Sequence, residues 1–162
     1  MDFTTAEITA IACGWADSTK VEVWLLGECE LPEILGEFVE RYNQADVVTG
    51  HYVRKHDLPI INGALLEQGM TPLGPKLVSD TKNDLVKRSG ISASQENLAA
   101  MYGLSAGKEH MSQVAWREAN RLTPKGLAET RRRVVGDVKQ HKQLRKRLAE
   151  AGALGVPKLW SP

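Results

Sequence analysis

Two aspartates stand where a carboxylate could do chemistry. Asp57 closes the segment Thr49-Gly-His-Tyr-Val-Arg-Lys-His-Asp57. There a short apolar stretch ends at Gly50, a polar loop follows, and Asp57 opens a run with helical spacing. That order places its carboxylate at the C-terminal edge of a sheet, where α/β proteins build their sites. The structural alternative is an N-cap, with the side chain accepting a backbone N–H of the first turn. Asp137 lies in Arg131-Arg-Arg-Val-Val-Gly-Asp-Val-Lys-Gln-His-Lys-Gln-Leu-Arg-Lys-Arg-Leu148. Val134, Asp137, Val138, His141, Leu144 and Leu148 fall near one helical stripe, so this acid sits on or beside an apolar face. Such a position is costly unless the carboxylate is paired or holds a cation. A salt bridge to a neighbouring arginine is the alternative there.

The elements that must position these residues follow from periodicity. Residues 8–15 and 20–26 suit two strands joined by a turn at Asp17-Ser-Thr, which reads as a β-hairpin. A helix follows over 32–42, with Ile34, Leu35, Phe38, Val39 and Tyr42 on one side and Pro32 in the tolerated first turn. A buried strand is expected over 46–50 and a helix over 58–68, ended by Gly69. Residues 76–80 make a short strand. Helices are expected over 82–89, 95–102, 111–119 and 124–151, and the tail 152–162 is expected to be extended and anchored by Trp160. The order ββαβα, a short strand and then helices points to an α/β layer with a helical C-terminal half, as a single domain over 1–162. Trp15 and Trp24 are expected in the core of the hairpin, and Trp116 as a second packing anchor.

Composition narrows the function classes. With 162 residues, 42% of them apolar and 25% charged, the chain is long enough for a real core and too ordinary for disorder or a fibre. No apolar run can cross a bilayer and no signal peptide opens the chain, so no membrane partner is expected. Cys13 and Cys29 make neither a metal pair nor a disulfide framework, which fits a cytoplasmic setting. The net charge of +1 hides a polarity: residues 1–50 hold ten acids and two bases, and residues 117–162 hold four acids and twelve bases. A basic C-terminal part suits an anionic partner, DNA or RNA, although solvated helix faces are also often basic. Gly103-Leu-Ser-Ala-Gly-Lys-Glu is one residue short of a phosphate loop and carries Glu109 in place of Ser or Thr. His110 and His141 read as packed or exposed histidines.

The segments that carry Asp57 and Asp137 resemble motifs II and III of the DEDD 3'–5' exonucleases, the proofreading branch of the ribonuclease-H-like fold. Gly50, His51 and Asp57 match the second motif, while Tyr52 stands in place of its asparagine and His56 in place of its phenylalanine. Asp137-Val with Leu144 matches the third. Ser79-Asp80-Thr81 resembles the Asp-Thr step that ends the intervening strand. The likeness covers about residues 5–148 and is similar to phage and bacterial forms. It implies a ribonuclease-H-like mixed sheet and two-metal hydrolysis of phosphodiester bonds. Asp57 and Asp137 would be catalytic ligands of Mg2+ or Mn2+. His51, Tyr52, Arg131, Arg132, Arg133, Lys139 and Lys142 would contact nucleic acid, Tyr52 as the stacking ring. Arg132 and Arg133 stand at the offsets where the family places a water-orienting tyrosine or histidine. The Asp-x-Glu of motif I is absent from the chain, and with it the first central strand. Activity is therefore expected to be impaired, and a non-catalytic nucleic-acid-binding or interaction protein on the same fold is the competing reading. Strand edges left without a neighbour would favour self-association.

Overall fold

The computed structural model describes residues 8–86, 90–104 and 122–162. The helix expected over 111–119, His110, Trp116 and most of the glycine turn at 103–109 lie outside them. The hairpin forms as β1 (Ala10–Cys13) and β2 (Glu22–Leu25), antiparallel with Ala10 opposite Leu25 and Cys13 opposite Glu22. The helix α1 (Leu31–Gln44) follows, with Pro32 in its first turn, Glu33 near its positive end and Arg41 near its negative end, each complementing the helix dipole. Arg41 also ties α1 to the hairpin. Its Nε donates to Glu22 at 2.8 Å, and its guanidinium lies 5.1 Å from the centre of the Trp24 ring. Trp15 is 41% exposed, contrary to the core position expected of it, because the strand ends at Cys13 and Trp15 already belongs to the connecting turn.

Next comes a β-α-β unit: β3 (Val47–Gly50), α2 (Asp57–Glu67) and β4 (Lys76–Asp80), with β3 and β4 parallel and Gly50 opposite Asp80. The described part of 82–89 is not the expected helix. Residues 81–84 form a turn in which the Asp84 N–H donates to the Asp80 carbonyl at 2.9 Å. Among the described residues two helices follow, α3 (Gln95–Met101) and α4 (Pro124–Glu150). Ser94 caps α3 by accepting from the Asn97 N–H, and Thr123 caps α4 by accepting from the Gly126 N–H at 3.0 Å. The tail is more than an extended segment: β5 (Lys158–Trp160) pairs antiparallel with β4, Lys76 opposite Trp160.

The architecture is mixed α/β, with two small sheets, β1-β2 and β3-β4-β5, among the described residues. Side chains alternate across a strand, so β4 reports its two neighbours directly. Val78 joins the main core with Ile34, Leu35, Leu58, Ile61, Leu65 and Ile11, while Ser79, on the other face, lies 3.4 Å from the Arg145 Nε of α4. Thus α1 and α2 cover one face and α4 the other. Helix α4 spans both sheets: it packs on β1 and β2, and His141 reaches Thr49 of β3 at 3.0 Å. One core serves both sheets, yet no ladder joins β1 to β3 among the described residues. A row of Val47, Leu77 and Leu159, aligned across the three-stranded sheet, stays exposed at 39%, 45% and 65%. No helix among the described residues is long and apolar enough to cross a membrane.

Trp160 is 8% exposed and belongs to the main core, whereas Leu159 beside it faces outward. Trp160→Ala is expected to destabilise the fold by about 3 kcal/mol and Leu159→Ala by much less, as read from the midpoint of urea unfolding at constant slope.

Candidate functional site

The C-terminal ends of β3 and β4 carry the densest buried polar network of the described residues. Ser79, Asp80, Thr81, Asp84 and His141 are all buried there. Asp80 is wholly buried, and its carboxylate accepts from the N–H groups of Tyr52 (2.9 Å), Arg54 (3.3 Å), Lys82 (2.9 Å) and Asn83 (3.1 Å), and from Asn83 Nδ2 (3.4 Å). Burial alone would push its pKa up. The N–H donors of Asn83, Lys82, Tyr52 and Arg54 outweigh that and hold it below the usual carboxylate value. Asp84 supports the arrangement from beneath. Its Oδ2 accepts from the Asp80 N–H at 2.9 Å and from the Arg54 guanidinium, which also donates to the Val78 carbonyl at 3.1 Å. Lys158 of β5 approaches the other Asp84 oxygen at 3.7 Å.

This network sets the shape of the loop that leaves β3. Gly50 has no room for a side chain, since a Cβ there would lie 2.8 Å from the Cβ of Val53. Tyr52 sits at φ +64°, a left-handed conformation that costs a non-glycine residue about 1–2 kcal/mol. Its N–H bond to Asp80 holds it there. The Tyr52 ring lies within 19° of parallel to the His56 ring at 6.5 Å, and Lys82 Nζ stands 4.0 Å from the Tyr52 ring centre. Asp57, half exposed, pairs with His56 Nδ1 at 3.0 Å rather than capping α2. The loop surface thus combines an aromatic ring, a lysine, a histidine and a carboxylate above a rigid buried base.

Two histidines lie below it. His51 Nδ1 lies 2.8 Å from Thr81 Oγ1, and His141 Nε2 lies 3.0 Å from Thr49 Oγ1. Burial, with the His51 and Arg145 charges adding to it, pushes the His141 pKa down to about 4. The ring is therefore neutral at pH 7. Nδ1 of His141 is buried without a hydrogen-bond partner. Placing the single ring proton on Nε2, donated to Thr49, leaves only a lone pair unsatisfied there, which costs less than an orphaned N–H.

The sequence-derived candidates are distributed around this rim. His51, Tyr52 and Asp57 share the loop after β3. Asp137 lies on the half-buried inner side of α4, one turn before His141, and Asp57 stands half exposed at the start of α2. Arg131 is ion-paired to Glu28, and Arg132 to Glu129 at 3.0 Å. Both stand beside a concavity of about 590 Å3 that is also lined by Pro124, Leu127, Ala128 and Val135. Lys142 points to the hairpin, donating to the Ser18 carbonyl at 2.8 Å, while Arg133 is half-buried and Lys139 exposed. The resemblance to the exonucleases implies a two-cation centre. Among the described residues no group of three or more His, Cys, Asp or Glu side chains converges to hold a metal ion. Asp80 has its oxygens taken by N–H donors, and Asp84 has one taken by Arg54 and the Asp80 N–H. Asp57 and Asp137 supply two carboxylates, and a two-cation centre needs further ligands besides them. No protein-family model, curated protein or solved structure matches this chain. Arg54 and Thr49 carry no signal in the sequence that singles them out, and Asp80 stands out there only as a strand end. An aspartate four residues after another, directly following an apolar strand, is the signal that could have pointed to a doubly acidic turn.

Asp80→Ala strands five donors and is expected to cost at least about 3 kcal/mol, with Asp80→Asn also destabilising, both measured by chemical unfolding. The sign for His141 is opposite to that of a salt-bridged histidine. Its folded pKa lies below the unfolded value of about 6.5, so its contribution is complete above that pH. The contribution is lost as pH falls towards about 4, by up to ~3 kcal/mol. In His141→Gln the stability profile between these two pH values should flatten.

Proposed function

We propose that this chain is a nucleic-acid-binding protein on a ribonuclease-H-like, 3'–5' exonuclease-type plan, and that the rim above β3 and β4 receives a strand end. The observation that carries the reading is Tyr52. A wholly buried carboxylate is used to hold this one aromatic residue in a strained conformation, beside His56 and under a lysine. That carboxylate also gathers the N–H groups of Arg54, Lys82 and Asn83, and backbone strain kept in place by its surroundings clusters at functional positions. A ring so placed stacks on a base, while Lys82 and His56 stand where a terminal phosphate adds charge to be met. Support also comes from the order hairpin, helix, strand, helix, strand, and from the position of the Gly50-His51-Tyr52 segment at the end of a parallel strand. His51 acts from below, through Thr81, to brace the loop.

Binding without cleavage is the reading that the donor set favours. The hydrolytic version, with Mg2+ or Mn2+ at Asp57 and Asp137, needs further ligands besides these two. Both readings are separated by one assay. Fluorescent single strands and duplexes with recessed ends are mixed with the protein, with and without each cation, and followed by anisotropy and by product length. We expect salt-sensitive binding, weakened about tenfold or more by Tyr52→Ala, with no shortening of the strand. Cation-dependent shortening lost in Asp57→Ala would establish the exonuclease instead. No binding at low salt to any of these nucleic acids would overturn both.

A further inference from the structure

The outer face of α4 carries a pattern that the rim does not use. Lys125, Arg132, Lys139 and Lys146 are all exposed and recur at every seventh position. Seven residues are nearly two helical turns, so these side chains follow one line that drifts by about 20° per step. The line has intervals of about 10 Å and runs for roughly 31 Å. The opposite side of the helix is the one that packs, through Gly126, Gln140, His141, Leu144 and Leu148. Solvated helix faces usually intersperse acids with bases. Here the helix holds only Glu129, Asp137 and Glu150 as acids. Glu129 pairs with Arg132, and Asp137 lies on the inner side. Among the described residues no carboxylate lies within ion-pair distance of Lys125, Lys139 or Lys146.

The geometry points to this line as a surface that docks along the backbone of a nucleic-acid duplex. The inference rests on the nucleic-acid reading above and adds to it the form of the partner and the residues that track it. Charge complementarity selects a polyanion. The helix contains no Phe, Tyr or Trp, so this face offers no ring for an unpaired base, whereas single-strand sites combine cations with stacking platforms. A straight row of about 31 Å lies alongside nearly one turn of duplex, whose strands each present a phosphate about every 3.4 Å of axis. An anionic lipid surface is a poorer match. A helix that lies in lipid turns its apolar side outward, and here Leu144 and Leu148 are in the interior and no large exposed hydrophobic residue is on α4. Three of the five basic residues that the sequence points to on this helix are thereby separated from the docking role. Arg131 is paired to Glu28, Lys142 serves the hairpin and Arg133 is off the line, while Lys125 and Lys146 join it.

The test uses the whole chain and a short fluorescent DNA duplex with blunt ends, titrated across roughly 50–200 mM salt. Four phosphate contacts give a slope of log K against log salt of about −3.6, and the variant Lys125→Gln, Lys139→Gln, Lys146→Gln should fall to about −1. These side chains are exposed, and an unchanged urea midpoint shows that the variant is folded. Tyr52→Ala should keep the steep slope. A variant that binds duplex with the unaltered slope overturns the docking line and leaves the rim reading standing. The docking line is equally overturned if the protein binds single strands in a Tyr52-dependent way and no duplex. Binding to phosphatidylserine vesicles in preference to duplex would overturn it in favour of a membrane surface.

Discussion

A carboxylate removed from water must be met by donors, and Asp80 is removed from water completely. The donors that meet it come from two loops that are distant in sequence, the one after β3 and the one after β4. Satisfying one buried charge therefore fixes the relative position of two loops. Asp84 repeats the device one layer down, engaging the Asp80 N–H and Arg54, and Arg54 in turn returns to the Val78 carbonyl of β4. A buried network of this kind is stabilising only when every member is satisfied. Here Asp80 is fully met by donors, while Arg54 Nε and Asp84 Oδ1 stay buried without a hydrogen-bond partner among the described residues, so the loop that carries His51, Tyr52 and Asp57 is held through Asp80.

The charge polarity along the chain is partly consumed inside the fold. Acids of the N-terminal part meet bases from elsewhere, Glu22 with Arg41 on α1 and Glu28 with Arg131 on α4. Lys142 is also drawn to the hairpin, although to a carbonyl rather than to an acid. What remains facing water on α4 is a smaller and more ordered set of cations than the composition announces.

Most of the secondary structure was legible because it is local. Alternation in 20–26, the helical spacing of Ile34, Leu35 and Tyr42, Pro32 and Gly69 as punctuation, and the long pattern after Pro124 each encode their element within a few residues. What was not legible is what depends on distant partners. Lys158-Leu-Trp160 becomes a strand only because β4 offers an edge, and nothing in those three residues announces it. Residues 81–84 turn rather than continue as a helix because Asp80 and Asp84 capture backbone N–H groups that a helix would have used. The same limit applies at the candidate site. Asp57 could be placed at the start of α2, but not its pairing with His56. His141 could be placed on a stripe, but not its reach to Thr49. Aspartates are usually solvated, so the burial of Asp80 runs against the prior that composition and pattern supply.

The late arrival of β5 has a kinetic consequence. The hairpin and the β3–β4 pair draw on neighbouring stretches of chain, whereas the second neighbour of β4 comes from the far end of the chain. During synthesis the ribosome delivers these parts in order, so β4 spends an interval with one side of its backbone unsatisfied. Lys158 and its approach to Asp84 arrive with the same segment. A nascent chain thus passes through a stage with an open strand edge, which closes when Lys158–Trp160 emerges.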